Sequence, residues 1–95
     1  MRLKPEIKKF ITETAIKLFP NSEMYLFGSR LNNHSRGGDI DILILSEEKI
    51  DKKLLRKFRI EFYKKFGWQK IDLVNFTKQE NSTFKQLILP NAQQL

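Results

Sequence analysis

Asp39 and Asp41 flank a single isoleucine at the head of the apolar run Ile42-Leu43-Ile44-Leu45, and Asp39 lies nine positions beyond Arg30 of the turn-like segment Phe27-Gly28-Ser29-Arg30. Side chains alternate across a strand, so carboxylates at 39 and 41 project from one face. Two like charges held that close favour a cation, and hard oxygen ligands with no His or Cys beside them favour Mg²⁺ or Mn²⁺ over zinc. Gly28-Ser29 offers the complementary half. A glycine at the end of a strand frees backbone N–H groups to wrap an anion, and a helix beginning just after it adds partial positive charge. Arg30 and Arg36 are near enough in sequence to add charge-assisted contacts to phosphate oxygens. Metal and phosphate in one crevice point to nucleotide chemistry.

A third carboxylate, Asp72, lies in the apolar segment Lys70-Ile71-Asp72-Leu73-Val74. A charge inside such a strand is costly unless something pairs with it. If this strand neighbours the one that carries Asp39 and Asp41, three carboxylates converge on one point of a sheet and their repulsion calls for a divalent ion. The plainer alternative for Asp72 is a strand-end residue held by a backbone amide.

The elements that must position these residues are readable. Leu3, Ile7, Phe10, Ile11, Ala15, Leu18 and Phe19 recur at helical spacing over about residues 4 to 19, with Pro5 in the first turn and Pro20-Asn21 as the stop. Glu23 to Phe27 is a short strand ending at Gly28, and residues 29–33 begin a brief helix. Asp39 to Leu45 is a strand apolar enough to be central. Asp51 suits an N-cap, and Leu54, Leu55, Phe58, Phe62 and Phe66 stripe a helix that Gly67 ends. Trp68 to Phe76 is a third strand. Thr77-Lys78-Gln79-Glu80 has capping-box form ahead of a last helix with Phe84, Leu87 and Ile88 on its apolar face and Pro90 at its end. The expectation is an α+β fold with α/β-like order, a three-stranded mixed sheet packed by helices.

A chain of 95 residues bounds this to a single domain, residues 1–95. Hydrophobic residues at 40%, with eight Phe, argue for a folded globule. No apolar run approaches the roughly 18 residues of a membrane span, and the basic start leads into an amphipathic stretch, so the expectation is cytoplasmic with no membrane association. The lack of Cys removes thiolate metal sites. A net charge of +7 implies an anionic partner: nucleic acid, a triphosphate or an acidic protein surface. Lys52, Lys53, Arg56, Lys57, Arg59, Lys64 and Lys65 gather on one helix, where a solvated face is the simplest reading.

Phe27-Gly28-Ser29-Arg30, then Gly38-Asp39-Ile40-Asp41-Ile42-Leu43 and the later Asp72, resemble the polymerase β-type nucleotidyltransferase superfamily, its minimal nucleotidyltransferase members in particular. The resemblance covers most of the chain, since those proteins are little more than the catalytic palm. It implies that Gly28 and Ser29 hold the β- and γ-phosphates of ATP or another nucleoside triphosphate. It also implies that Asp39 and Asp41 bind two Mg²⁺ ions, and that Asp72 completes the metal site and helps deprotonate an attacking hydroxyl. Gly38 stands where many members have Ser, which only loosens the loop. The acceptor site is expected from another protein or another copy of the chain. Minimal members commonly pair with a small helical HEPN protein as its antitoxin, in some cases adding AMP to it.

Two other functions compete: a non-catalytic palm that neutralises a partner by contact, and a nucleic-acid-modifying or nucleic-acid-binding protein. Clustered carboxylates favour the enzyme over the first, and no placed basic and aromatic surface motif supports the second. His34 in a polar loop lacks companion ligands, Trp68 is expected to pack on the helix before it, and Glu47-Glu48 reads as a solvated turn.

Overall fold

Pro5, whose ring fixes a helical φ and whose missing N–H is no loss in a first turn, opens helix α1, Pro5–Leu18, in the computed structural model, which describes residues 3–28 and 39–95. Ile7, Ile11 and Ala15 recur every fourth residue and are buried along one stripe. Asn21, at φ +67°, turns the chain in the left-handed region that its short polar side chain tolerates. Strand β1, Glu23–Phe27, follows, and then β2, Ile40–Ser46. Helix α2, Lys52–Lys65, starts where Asp51 accepts a hydrogen bond from the Lys53 amide at 2.9 Å. Strand β3, Ile71–Thr77, and helix α3, Thr83–Ile88, complete the expected order.

The sheet is mixed, but it has four strands and not three, in the order β3-β2-β1-β4. β4 is the dipeptide Gln93–Gln94, which pairs antiparallel with Tyr25 and Leu26 of β1. Two exposed glutamines carry no alternation to read, and only the return of the chain after Pro90 brings them to the edge. β1 and β2 are antiparallel, whereas β2 and β3 are parallel. β2 is central, and Asp41 is the one residue of that strand that is not buried.

Alternation gives the sheet two unlike faces. Met24, Leu26, Ile40, Ile42, Ile44 and Ile71 face α1 and α2, where they meet Phe58 and Phe62 in the main core. Phe10 of α1 sets its ring edge-on to Phe58, Phe62 and Phe66, with centroids 5.6–6.5 Å apart. The other face is lightly covered: Leu43, Leu45 and Phe76 form a small cluster with Tyr25, Phe27, Val74 and Leu89.

Three local expectations change. β3 begins at Ile71; Trp68 lies in the turn before it, 64% exposed, with its ring edge-on to Phe66. The Thr77–Glu80 box forms reciprocally, the Glu80 amide donating to Thr77 Oγ1 at 3.2 Å and the Thr77 amide to Glu80 Oε1 at 3.1 Å, yet it closes a turn and starts no helix. Ser82 caps α3 instead, because β3 still runs through Thr77 and the chain must first leave the sheet. Phe84 and Leu87 remain 49% and 70% exposed, so the face expected to be buried in that helix is only partly covered.

Candidate functional site

β1 ends and β2 and β3 begin at the same edge of the sheet, so residues distant in sequence meet there. Phe27 is the Cα partner of Asp41 across the antiparallel pair, and Asp72 is the partner of Asp41 across the parallel pair. Asp41 and Asp72 therefore stand side by side on one face. Alternation along β2 and β3 puts both on the lightly covered side with Leu43 and Val74, opposite the helices. Asp39 sits one residue ahead of β2, on the same parity as Asp41.

Gly28 directly follows Phe27 and adopts φ +81°. That conformation favours glycine. Space demands it as well, since a Cβ on Gly28 would run into Asp41 Oδ2 and stand only 3.2 Å from Asp41 Cγ. The backbone turn and the central carboxylate are thus in van der Waals contact, as the Gly-Ser and Asp-x-Asp readings require of one crevice. Ser29, Arg30 and Arg36, together with the expected helix over 29–33 and His34, lie outside the described residues.

The electrostatics single out Asp41. Burial first, then the charges of Asp72 and of Asp39, push its carboxyl above its ordinary value. All three expected carboxylates are therefore electrostatically coupled through the central one. They do not form a closed cage: among the described residues no group of three His, Cys, Asp or Glu side chains is gathered tightly enough to hold an ion. Asp72 is exposed and Asp39 precedes its strand, so packing holds neither of them onto Asp41. This also corrects the premise that Asp72 is a buried charge, for it opens to solvent on the uncovered face. Hard oxygens on one face, with the Asp41 carboxyl pushed upward by burial and then by its two neighbours, fit a divalent cation in donor type and in sign.

Sequence reading passed over Phe27 as a neighbour of the site. Its ring meets Phe84 edge-on at 6.4 Å, so an aromatic pair stands beside Asp41 on the open face. Only register could have revealed it. Asn75 was also missed, with a structural part: its Nδ2 donates to Ile44 O and Ser46 Oγ, both at 3.0 Å, and its Oδ1 accepts from the Ile50 amide at 2.8 Å. That locks the exit of β2 to the start of α2.

The family model described as polymerase beta nucleotidyltransferase matches residues 5–95. Three solved structures share the fold. The first is a chain of the toxin–antitoxin complex MntA–HpeT in a variant with two Asp-to-Glu substitutions, with a TM-score of 0.72 and 21% identity over 93% of this chain and 70% of that one. Another belongs to the complex of tri-AMPylated Shewanella oneidensis HEPN toxin with MNT antitoxin, with a TM-score of 0.71 and 20% identity over 97% of this chain and 71% of that one. The third carries the provisional name nucleotidyltransferase, with a TM-score of 0.63 and 30% identity over 93% of this chain and 96% of that one. No curated protein matches the chain.

Proposed function

The chain belongs to the polymerase beta nucleotidyltransferase family, and from that premise we propose that it is a Mg²⁺-dependent enzyme that moves AMP from ATP onto a hydroxyl of a small helical HEPN toxin, as that toxin's antitoxin. The observation that carries the reading is the in-register pair Asp41 and Asp72 beside the left-handed turn at Gly28. The likeness of the fold to antitoxin complexes, one of them holding an AMPylated toxin, supports the choice of partner.

In this reading Gly28 and Ser29 hold the β- and γ-phosphates through backbone N–H groups, with Arg30 and Arg36 pairing phosphate oxygens. Asp39, Asp41 and Asp72 are the residues that would hold two Mg²⁺ ions. When bound, the ions supply charge neutralisation at the triphosphate and acidify the acceptor hydroxyl. The hydroxyl oxygen bonds to the α-phosphorus in line with the bond to the bridging oxygen, which breaks and leaves as pyrophosphate. Asp72, the neighbour of Asp41 across the parallel pair, takes the proton in this reading. A side chain at Gly28 would displace Asp41, so glycine there keeps the turn and that carboxylate together.

A palm that silences its partner by contact alone is the second reading, and the open arrangement of the three carboxylates favours it. One experiment separates the two. The chain is incubated with its helical partner, labelled ATP and Mg²⁺, and the partner's mass is measured. Transfer adds AMP to a Tyr, Ser or Thr, and Asp39→Asn with Asp41→Asn abolishes it. An unmodified partner that the double variant still inhibits would establish contact as the mechanism.

A further inference from the structure

Helix α2 concentrates unfavourable positive charge in its first two turns. Lys52 and Lys53 occupy its first turn, where the exposed N–H groups already make the positive end of the helix, and no acidic residue stands there. Lys52 and Arg56, and again Lys53 and Lys57, are like charges four apart and repel one another. The ion pairs among the described residues are Lys49–Glu80 and Lys78–Glu47, and neither touches this helix. Asp51 at the N-cap, Glu61 four residues from both Lys57 and Lys65, and the last-turn Lys64 and Lys65 favour the helix, so the charge it does not itself use is confined to its first two turns.

Lys52, Lys53, Arg56, Lys57 and Lys64 are all exposed. Trp68 is 64% exposed in the turn after α2, where its ring stands edge-on to Phe66 and Lys4 Nζ at the start of α1 lies 5.2 Å from its centre. Phe58 and Phe62 fix α2 on the sheet face of Ile42 and Ile44, whereas Asp41 and Asp72 project from the opposite face. The basic row therefore cannot serve the triphosphate at the candidate active site.

We propose that the outer face of α2, with Trp68 at its end, binds the backbone of a single-stranded nucleic acid at a surface separate from the nucleotide site. Neighbouring cations about 5–6 Å apart along a helix form a ladder. A linear polymer with a charge on every unit neutralises all of it, and an exposed indole gives one base a stacking platform. An acidic protein surface would also answer the charge, and poly-glutamate stands in for it in the titration.

Trp68 is the sole tryptophan, so its fluorescence reports on this surface alone. A labelled RNA oligonucleotide is titrated against the full chain without nucleotide, following its anisotropy and Trp68 emission at several salt concentrations. Because nucleotide is left out, failure here and failure of nucleotidyl transfer are distinguishable. The expected result is quenching of Trp68 together with an affinity that falls steeply with salt. Arg56→Glu with Lys57→Glu should weaken binding about tenfold and lower the salt slope by about one unit per removed cation. That variant turns both like-charge pairs into opposite ones and loses the opposite pair of Lys57 with Glu61, so its unfolding temperature should stay within a few degrees of wild type. Trp68→Leu should weaken binding and leave the salt slope unchanged. Binding that leaves Trp68 emission unaltered, or that survives charge reversal, would overturn the proposal. Equal affinity for poly-glutamate or for phosphatidylserine vesicles at the same salt would do so too.

Discussion

Gly28 leaves the space that Asp41 occupies: at φ +81° its missing side chain is where the Asp41 carboxylate lies. Turn and carboxylate are therefore one unit. Gly28→Ala should lower stability by about 1–2 kcal/mol from the left-handed backbone alone, and each kcal/mol lowers Tm by roughly 4–8 °C in a domain of this size. The added methyl should also displace Asp41 and remove transfer activity. Thermal unfolding of Gly28→Ala in wild type and in an Asp41→Ala background measures the coupling. A cost equal in both backgrounds would show that the two residues act independently.

Asp41 titrates above its ordinary value of 3.8 because of burial and the charges of Asp72 and Asp39. A carboxyl whose folded pKa exceeds its unfolded one contributes stability that is fully present below the unfolded value and lost as pH rises through the folded one. In EDTA, Asp41→Asn should therefore gain stability relative to wild type as pH rises through and above the carboxylate range, and show no such gain in strong acid. Unfolding midpoints of both proteins across that range are the measurement; a difference from wild type that does not grow with pH would contradict the cause assigned.

Nucleotide binding should depend on the metal. Three carboxylates on one face repel a triphosphate, and Mg²⁺ reverses the sign. Calorimetry should find ATP bound with Mg²⁺ and weakly or not at all in EDTA. Equal affinity in both conditions would remove the metal from the reading of the site.

Asn75 should prove structural. Asn75→Ala leaves the Ile50 amide without its acceptor and takes one donor from the Ser46 oxygen, whose hydroxyl still donates to Glu48 O, a loss of about 1–3 kcal/mol given the usual cost of an unmet buried polar group. Denaturant unfolding should show it, while the folded fraction retains its nucleotide affinity. A change in affinity with unchanged stability would place Asn75 in the site instead.

Much of this protein lies in local pattern. The stripe Ile7, Ile11, Ala15 dictates a helix, Asp51 caps the next, and the run after Asp39 can only be a central strand, because burial periodicity and capping act within a few residues. The nearness of Gly28 to Asp41 is foreshadowed for the same reason, as turn and strand lie close along the chain. What the tertiary structure decided is everything that rests on register. It set Asp72 beside Asp41 across 31 residues, Phe27 opposite that pair, and Gln93–Gln94 on the edge of β1. It kept Asp72 open to solvent where its apolar neighbours suggested burial, and it turned the Thr77–Glu80 box into a loop closure. Pairing between strands is chosen by the whole core at once, since shifting a strand by one residue exchanges its faces, and no short window of sequence contains that choice.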